Sequence, residues 1–116
     1  MKDFLYHYKA TVKRVIDGDT VVVDVDLGFS VVLRDQPVRL AKVNTPEKKG
    51  KTKAAGVAAK EALEAKLSGK EVVIRTHKDP KDKYGRILAL VVLDDESQLC
   101  VNDWLIAEGL AVPYMV

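Results

Sequence analysis

Three short polar clusters hold the side chains in this sequence that could carry out a reaction. They are Asp17-Gly18-Asp19-Thr20, then Arg39 with Asn44-Thr45-Pro46-Glu47, then Asp82-Lys83-Tyr84-Gly85-Arg86. Each also has a plain structural reading. Asp and Gly are what a hairpin turn needs, and the third cluster would be unremarkable as a solvated loop. The second is harder to dismiss, because an arginine on an alternating strand needs a partner if it points inward. Together the clusters supply carboxylate, amide and main-chain oxygens for a hard cation, and two arginines whose forked donors match a phosphate. Glu47 could move a proton, and tyrosine and lysine could hold a nucleotide. No histidine or cysteine belongs to the set, which argues against zinc. Neither His7 nor His77 has a nucleophile beside it, and no glycine-rich phosphate loop of standard spacing occurs. The selection favours metal-assisted phosphodiester chemistry over acyl transfer or nucleotide hydrolysis.

The elements that must position these clusters follow from hydrophobic periodicity. Lys9–Ile16 has strand composition and leads into Asp17-Gly18, a strong turn signal. Thr20–Leu27 alternates, with Val21, Val23, Val25 and Leu27 on one face and Val22, Asp24 and Asp26 on the other. Ser30–Leu33 is expected to be a third strand, turning through Arg34-Asp35-Gln36-Pro37 into a fourth over Val38–Val43. Pro46 ends that strand. A helix follows in which Ala55, Ala59, Leu63 and Leu67 form one stripe, closed by Gly69 in a left-handed conformation. Glu71–Thr76 and Arg86–Leu93 read as strands joined by a polar loop, His77–Gly85. Asp94–Ser97 is a turn, and Val101–Glu108 a short helix that Gly109 stops. Periodicity alone says α+β, mainly antiparallel β. About five strands with a helix before the last two suggest a five-stranded OB-type β-barrel with helices packed on it.

At 116 residues, 47% hydrophobic and 31% charged, the chain has the size and composition of a single globular domain spanning residues 1–116. This composition excludes a disordered segment, a collagenous repeat and a disulfide scaffold. The one cysteine, Cys100, has no internal partner and reads as a buried structural thiol. The longest apolar runs are strand-sized, so no membrane partner is expected, and the first residues lack the apolar block of a signal peptide. The expected location is the cytoplasm, or the exterior if a leader has been removed, and the expected state is a monomer. A net charge of +2 says little about partners, but Lys48, Lys49, Lys51, Lys53, Lys78, Lys81 and Lys83 crowd two loops that could grip a nucleic-acid backbone.

The order of motifs carries more than any one of them. Val15-Ile16-Asp17-Gly18-Asp19-Thr20-Val21 comes first, then Val38-Arg39-Leu40 and Val43-Asn44-Thr45-Pro46-Glu47. Asp82-Lys83-Tyr84-Gly85-Arg86 follows, and last Val101-Asn102 through Gly109-Leu110-Ala111. From about Ala10 to Tyr114 this resembles the staphylococcal-nuclease-like (thermonuclease) family. The resemblance implies an OB-type barrel and calcium-dependent hydrolysis of DNA and RNA that leaves 3′-phosphate ends. It implies Asp19, Asn44 and the Thr45 carbonyl as calcium ligands, with Asp17 supporting from just outside. Glu47 would be the general base, and Arg39 and Arg86 would grip the scissile phosphate. Lys83 and Tyr84 would contact a neighbouring phosphate, and Tyr114 would line the nucleotide pocket. Two departures stand out: Asn44 replaces an aspartate of the secreted relative, and the stretch between Asp19 and Arg39 is longer. The competing expectation, from a different class, is a catalytically weak or inert OB-type module that only binds nucleic acid or a protein.

Overall fold

In the computed structural model residues 4–47, 50–81 and 84–114 are described, with the backbone alone at 78–81. Valine-rich alternation folds as expected. β1 (Tyr6–Asp17) and β2 (Thr20–Gly28) form a hairpin, and β2 pairs antiparallel with β3 (Val31–Leu40). β5 (Glu71–Lys81) pairs antiparallel with both β1 and β6 (Ile87–Leu93). A short parallel contact, Val38–Leu40 against Ile87–Ala89, closes the barrel in the order β1-β2-β3-β6-β5. A two-stranded ribbon pairs β4 (Val43–Asn44) with β7 (Val112–Pro113). The fold is thus the expected five-stranded barrel with helices. None of the described helices is long and apolar enough to cross a membrane.

The inward residues Val12, Val21, Val23, Val38, Leu40 and Ile74 are almost wholly buried. Helix α1 (Lys53–Leu67) covers part of this core with the stripe Gly56, Ala59, Leu63 and Leu67. Ala55, expected on that stripe, is exposed, because the buried face begins one residue later. At the helix end Gly69 adopts φ +72° and its N–H donates to the Val12 carbonyl at 3.1 Å. Val12 N–H donates in turn to the Lys70 carbonyl at 3.0 Å. The irregular register of β1 after Val12 is therefore fastened to the helix exit. Helix α2 (Val101–Ala107) buries Val101 and Leu105 and leaves Trp104 half-exposed. Cys100 at its start is half-buried rather than fully buried, and desolvation raises its thiol pKa.

Three expectations need correction. Arg34–Pro37 is not a turn, and residues 31–40 form one strand with a bulge between the pairs Val23–Gln36 and Val25–Leu33. Asp35 takes the left-handed conformation there (φ +53°), and its N–H donates to Asp24 Oδ1 at 2.9 Å. That bond, with Lys13 and Arg34 at 3.6 and 3.3 Å, holds the Asp24 carboxyl below its usual range. A bulge and a turn want the same residue types, but only the turn reverses the chain. The reversal comes later, at Lys42 (φ +65°), which is why Ala41 and Val43 are buried alongside Leu40. The expected loop 77–85 is also shorter, because β5 runs on to Lys81. Finally, Leu27 is not core: it is 38% exposed, because the β2–β3 hairpin outruns the last β1 pair, Lys9–Asp26.

Candidate active site

Strand register brings the first two clusters together. Thr20 lies opposite Arg39 across β2 and β3, so Asp19, one residue before, reaches the same end of the barrel. The Asp19 carbonyl accepts the Leu40 N–H at 2.8 Å, which ties the hairpin tip to β3. Its carboxylate takes the Thr20 hydroxyl on Oδ1 at 3.1 Å and faces the Thr45 N–H at 3.5 Å on Oδ2. Arg39 Nη2 lies 3.5 Å from Asp19 Oδ2. The same guanidinium donates to the Leu40 and Val43 carbonyls, the latter at 2.9 Å. Arg39 is therefore a brace across the Ala41–Lys42 turn as well as a cation facing the cleft.

The ribbon of β4 and β7 carries the second half of the site. Val43 pairs with Pro113 and Asn44 with Val112, and the Tyr114 N–H donates to the Lys42 carbonyl at 2.9 Å. The chain after α2 thereby braces the segment that bears Asn44, Thr45 and Glu47. The Glu47 side chain is exposed, and its carbonyl accepts the Thr52 hydroxyl at 2.8 Å. Asp17, Asp19, Arg39, Asn44, Thr45, Pro46, Glu47 and Arg86 line one cleft of about 500 Å³. All six expected metal-site and catalytic residues lie on its wall, with the supporting Asp17. Tyr84 and Tyr114 do not; both are exposed. Tyr84 meets the site indirectly, because the Arg86 guanidinium lies 5.1 Å from its ring centre, within cation–π range. Lys83, Lys48 and Lys49 fall outside the described residues, as do the side chains of Lys78 and Lys81. Lys51 and Lys53 line a separate shallow groove beside α1.

Among the residues lining the cleft, Asp17, Asp19 and Glu47 bring carboxylates and Asn44 an amide, so the side chains that could bind a cation do so through hard oxygens. Among the described residues no three Asp, Glu, His or Cys side chains converge as a cage. A carboxylate and an amide oxygen at one cleft are chemically suited to a hard divalent cation that fills its remaining positions with main-chain, water or substrate oxygens. Among the described residues no imidazole or thiolate lines the cleft, so the set does not suit zinc.

Sequence reasoning missed how Gly18 serves this site. A β-carbon there would sit 2.8 Å from Ala59 Cβ and 2.9 Å from Thr45 Oγ1. The turn between Asp17 and Asp19 is thus packed against α1 and the β4 loop at a distance only glycine permits. Gly18→Ala is expected to destabilise the fold by about 1–3 kcal/mol, and Ala59→Gly in the same chain to return part of that loss. Denaturant unfolding of the two single variants and the double checks it; simple additivity would show that the two positions do not touch.

Residues 37–116 match the family described as staphylococcal nuclease homologue. The chain is 44% identical over 103 residues to the thermonuclease of Staphylococcus intermedius, covering 86% of this chain and 56% of that protein. It is 39% identical over 101 residues to the thermonuclease of Staphylococcus hyicus, covering 84% and 54%. It is also 30% identical over 118 residues to the endonuclease YhcR of Bacillus subtilis, covering 94% of this chain and 9% of that protein. The chain thus spans about half the length of the two thermonucleases. Identity at this level over most of the chain is common descent rather than convergence on a barrel, and the protein belongs to the staphylococcal nuclease homologue family.

Proposed function

We propose that this chain is a calcium-dependent nuclease that hydrolyses phosphodiester bonds of DNA or RNA and leaves 3′-phosphate ends. The observation that carries the reading is the convergence of Asp19, Arg39, Glu47 and Arg86 on one cleft. An inert binding barrel has no use for an arginine fork, a proton acceptor and a carboxylate at one point. Glu47, exposed at the cleft wall, orients the attacking water and accepts its proton. Arg39 and Arg86 flank the phosphate, where their donors meet charge that grows on the non-bridging oxygens in the transition state. The bond from phosphorus to the 5′ oxygen breaks and the leaving oxygen takes a proton from solvent, giving a 3′-phosphate and a 5′-hydroxyl. Asp19, Asn44 and the Thr45 carbonyl, with Asp17 just outside, would hold calcium, which when bound would supply Lewis-acid stabilisation of the phosphate. Lys83, Tyr84 and Tyr114 serve the neighbouring phosphate and the nucleotide.

The test is digestion of DNA and RNA with calcium, with magnesium and with chelator, followed by phosphorylation of the products by a 5′-kinase. Cleavage with calcium, with ends that accept phosphate directly, is the expected result. Absence of cleavage under every condition would return the chain to the binding-module reading.

Asn44 sets a second expectation. Calcium affinity follows the number of ligand charges, and an amide contributes none. Asn44→Asp is expected to tighten calcium binding by roughly tenfold and to raise activity at limiting calcium. Titration calorimetry of parent and variant decides; equal affinities would remove Asn44 from the ligand set.

A further inference from the structure

The β2–β3 hairpin carries features that the cleft does not explain. Phe29 at its tip is 100% exposed with φ +55°, and Ser30 follows at φ +64°. Two consecutive left-handed residues make the kind of tight turn that Asn and Gly fill without strain. A bulky aromatic there costs about 1–2 kcal/mol and buries nothing of its own chain. Beyond the bulge, residues 31–36 pair with β2 alone, since β6 joins β3 only at Val38. No described strand covers the other edge. Natural edges of this kind are blunted by Lys, Pro, bulges or inward charges; here the bulge and Pro37 guard the inner part of the strand, whereas its outer end, Val31-Val32-Leu33, is apolar and 42–48% exposed. On the inner side, Leu27 and Leu33 continue into an apolar hollow of about 400 Å³ at the barrel mouth, walled by Tyr8, Val25, Ile74 and Ile87.

We propose that this hairpin is a homodimer interface, formed when two copies pair β3 edge to β3 edge, antiparallel, about a two-fold axis. Such a contact must be self-complementary, and this chain bears both halves: an unsupported aromatic knob and an apolar hollow. A register centred on Val32 sets Val32 against Val32 and Val31 against Leu33, so like faces meet. The exposed apolar side chains amount to roughly 500 Å² per copy, at the upper end of what a monomer shows. Pairing two copies covers at most on the order of 1,000 Å², about the minimum for a specific interface, which points to a modest affinity. A nucleic acid is the poorer occupant. The hairpin carries Asp24, Asp26 and Asp35, and its Arg34 is already bound to Asp24 at 3.3 Å. The cleft sits at the opposite end of β2, roughly 25 Å from the tip at ~3.3 Å per residue, so pairing leaves it open.

Analytical ultracentrifugation of the whole chain from micromolar to millimolar concentration tests this, beside Phe29→Asn and the double variant with Val32→Lys. The parent is expected to show a concentration-dependent dimer. Phe29→Asn, which suits the turn, is expected to weaken association at least ~30-fold with an unfolding midpoint equal to or above the parent's. The double variant is expected to stay monomeric. A parent that is monomeric throughout, or a dimer that survives both changes, overturns the proposal. So does a monomeric parent whose oligonucleotide binding is lost in Phe29→Asn, which would make the hairpin a nucleic-acid contact instead.

Discussion

Glu47→Gln is expected to lower turnover by about 10²–10⁴-fold, the range for a positioned general base, with no change in unfolding midpoint. The side chain is exposed, and the carbonyl of Glu47 is held by the Thr52 hydroxyl. Its removal therefore opens no core and leaves no buried group unpaired. Arg39→Ala is the instructive contrast. The sequence places Arg39 opposite Val38 and Leu40 on an alternating strand, which suggests that its loss would leave the protein folded. The structure makes it a donor to the Leu40 and Val43 carbonyls as well as a partner of Asp19. Arg39→Ala is thus expected to lose about 10²–10³-fold in turnover and also about 1–3 kcal/mol of stability, because half-buried acceptors are left unmet. Steady-state kinetics beside thermal unfolding separate the two. A Glu47→Gln variant that turns over at near-parent rates with saturating calcium would remove it from the reaction.

The largest expected effect on stability lies outside the cleft, at Asn102. Its side chain is 1% exposed and joins β6 to the turn after β3: Oδ1 accepts the Val91 N–H at 2.9 Å, and Nδ2 donates to the Ala41 and Ala89 carbonyls at 2.8 and 3.1 Å. The Ala89 carbonyl keeps a second donor, the Ala41 N–H at 2.8 Å. Asn102→Ala therefore strands one N–H and one carbonyl in the interior. The expected cost is about 2–5 kcal/mol, a large share of the 5–15 kcal/mol that typically holds a domain. Denaturant unfolding measures it through a lower midpoint at unchanged slope. A loss under about 1 kcal/mol would mean that water replaces the amide without penalty. Because Ala41 lies in the turn into β4, the same change loosens the strand that carries Asn44.

Sequence alone determined the residue types at the site, their order along the chain, and the strand periodicity that makes a barrel the economical solution. Those features are local: alternation, turn chemistry and the apolar stripe of α1 are each written within about fifteen residues. Tertiary structure decided what depends on pairing. Only the β2–β3 register places Asp19 beside Arg39, and only the β4–β7 ribbon explains why the chain after α2 braces Asn44. Arg34–Pro37 had the composition of a turn and became a bulge, because Asp24 on the neighbouring strand captured the Asp35 N–H. Gly18 looked like a turn glycine, yet what demands glycine there is the approach of Thr45 and of Ala59, the latter forty-one positions away in sequence. Leu27 alternated as core and emerged at the surface, because β1 offers it no partner. Periodicity records which side chains share a face; whether that face is covered depends on which strands reach it, and that is decided by non-local hydrogen bonds.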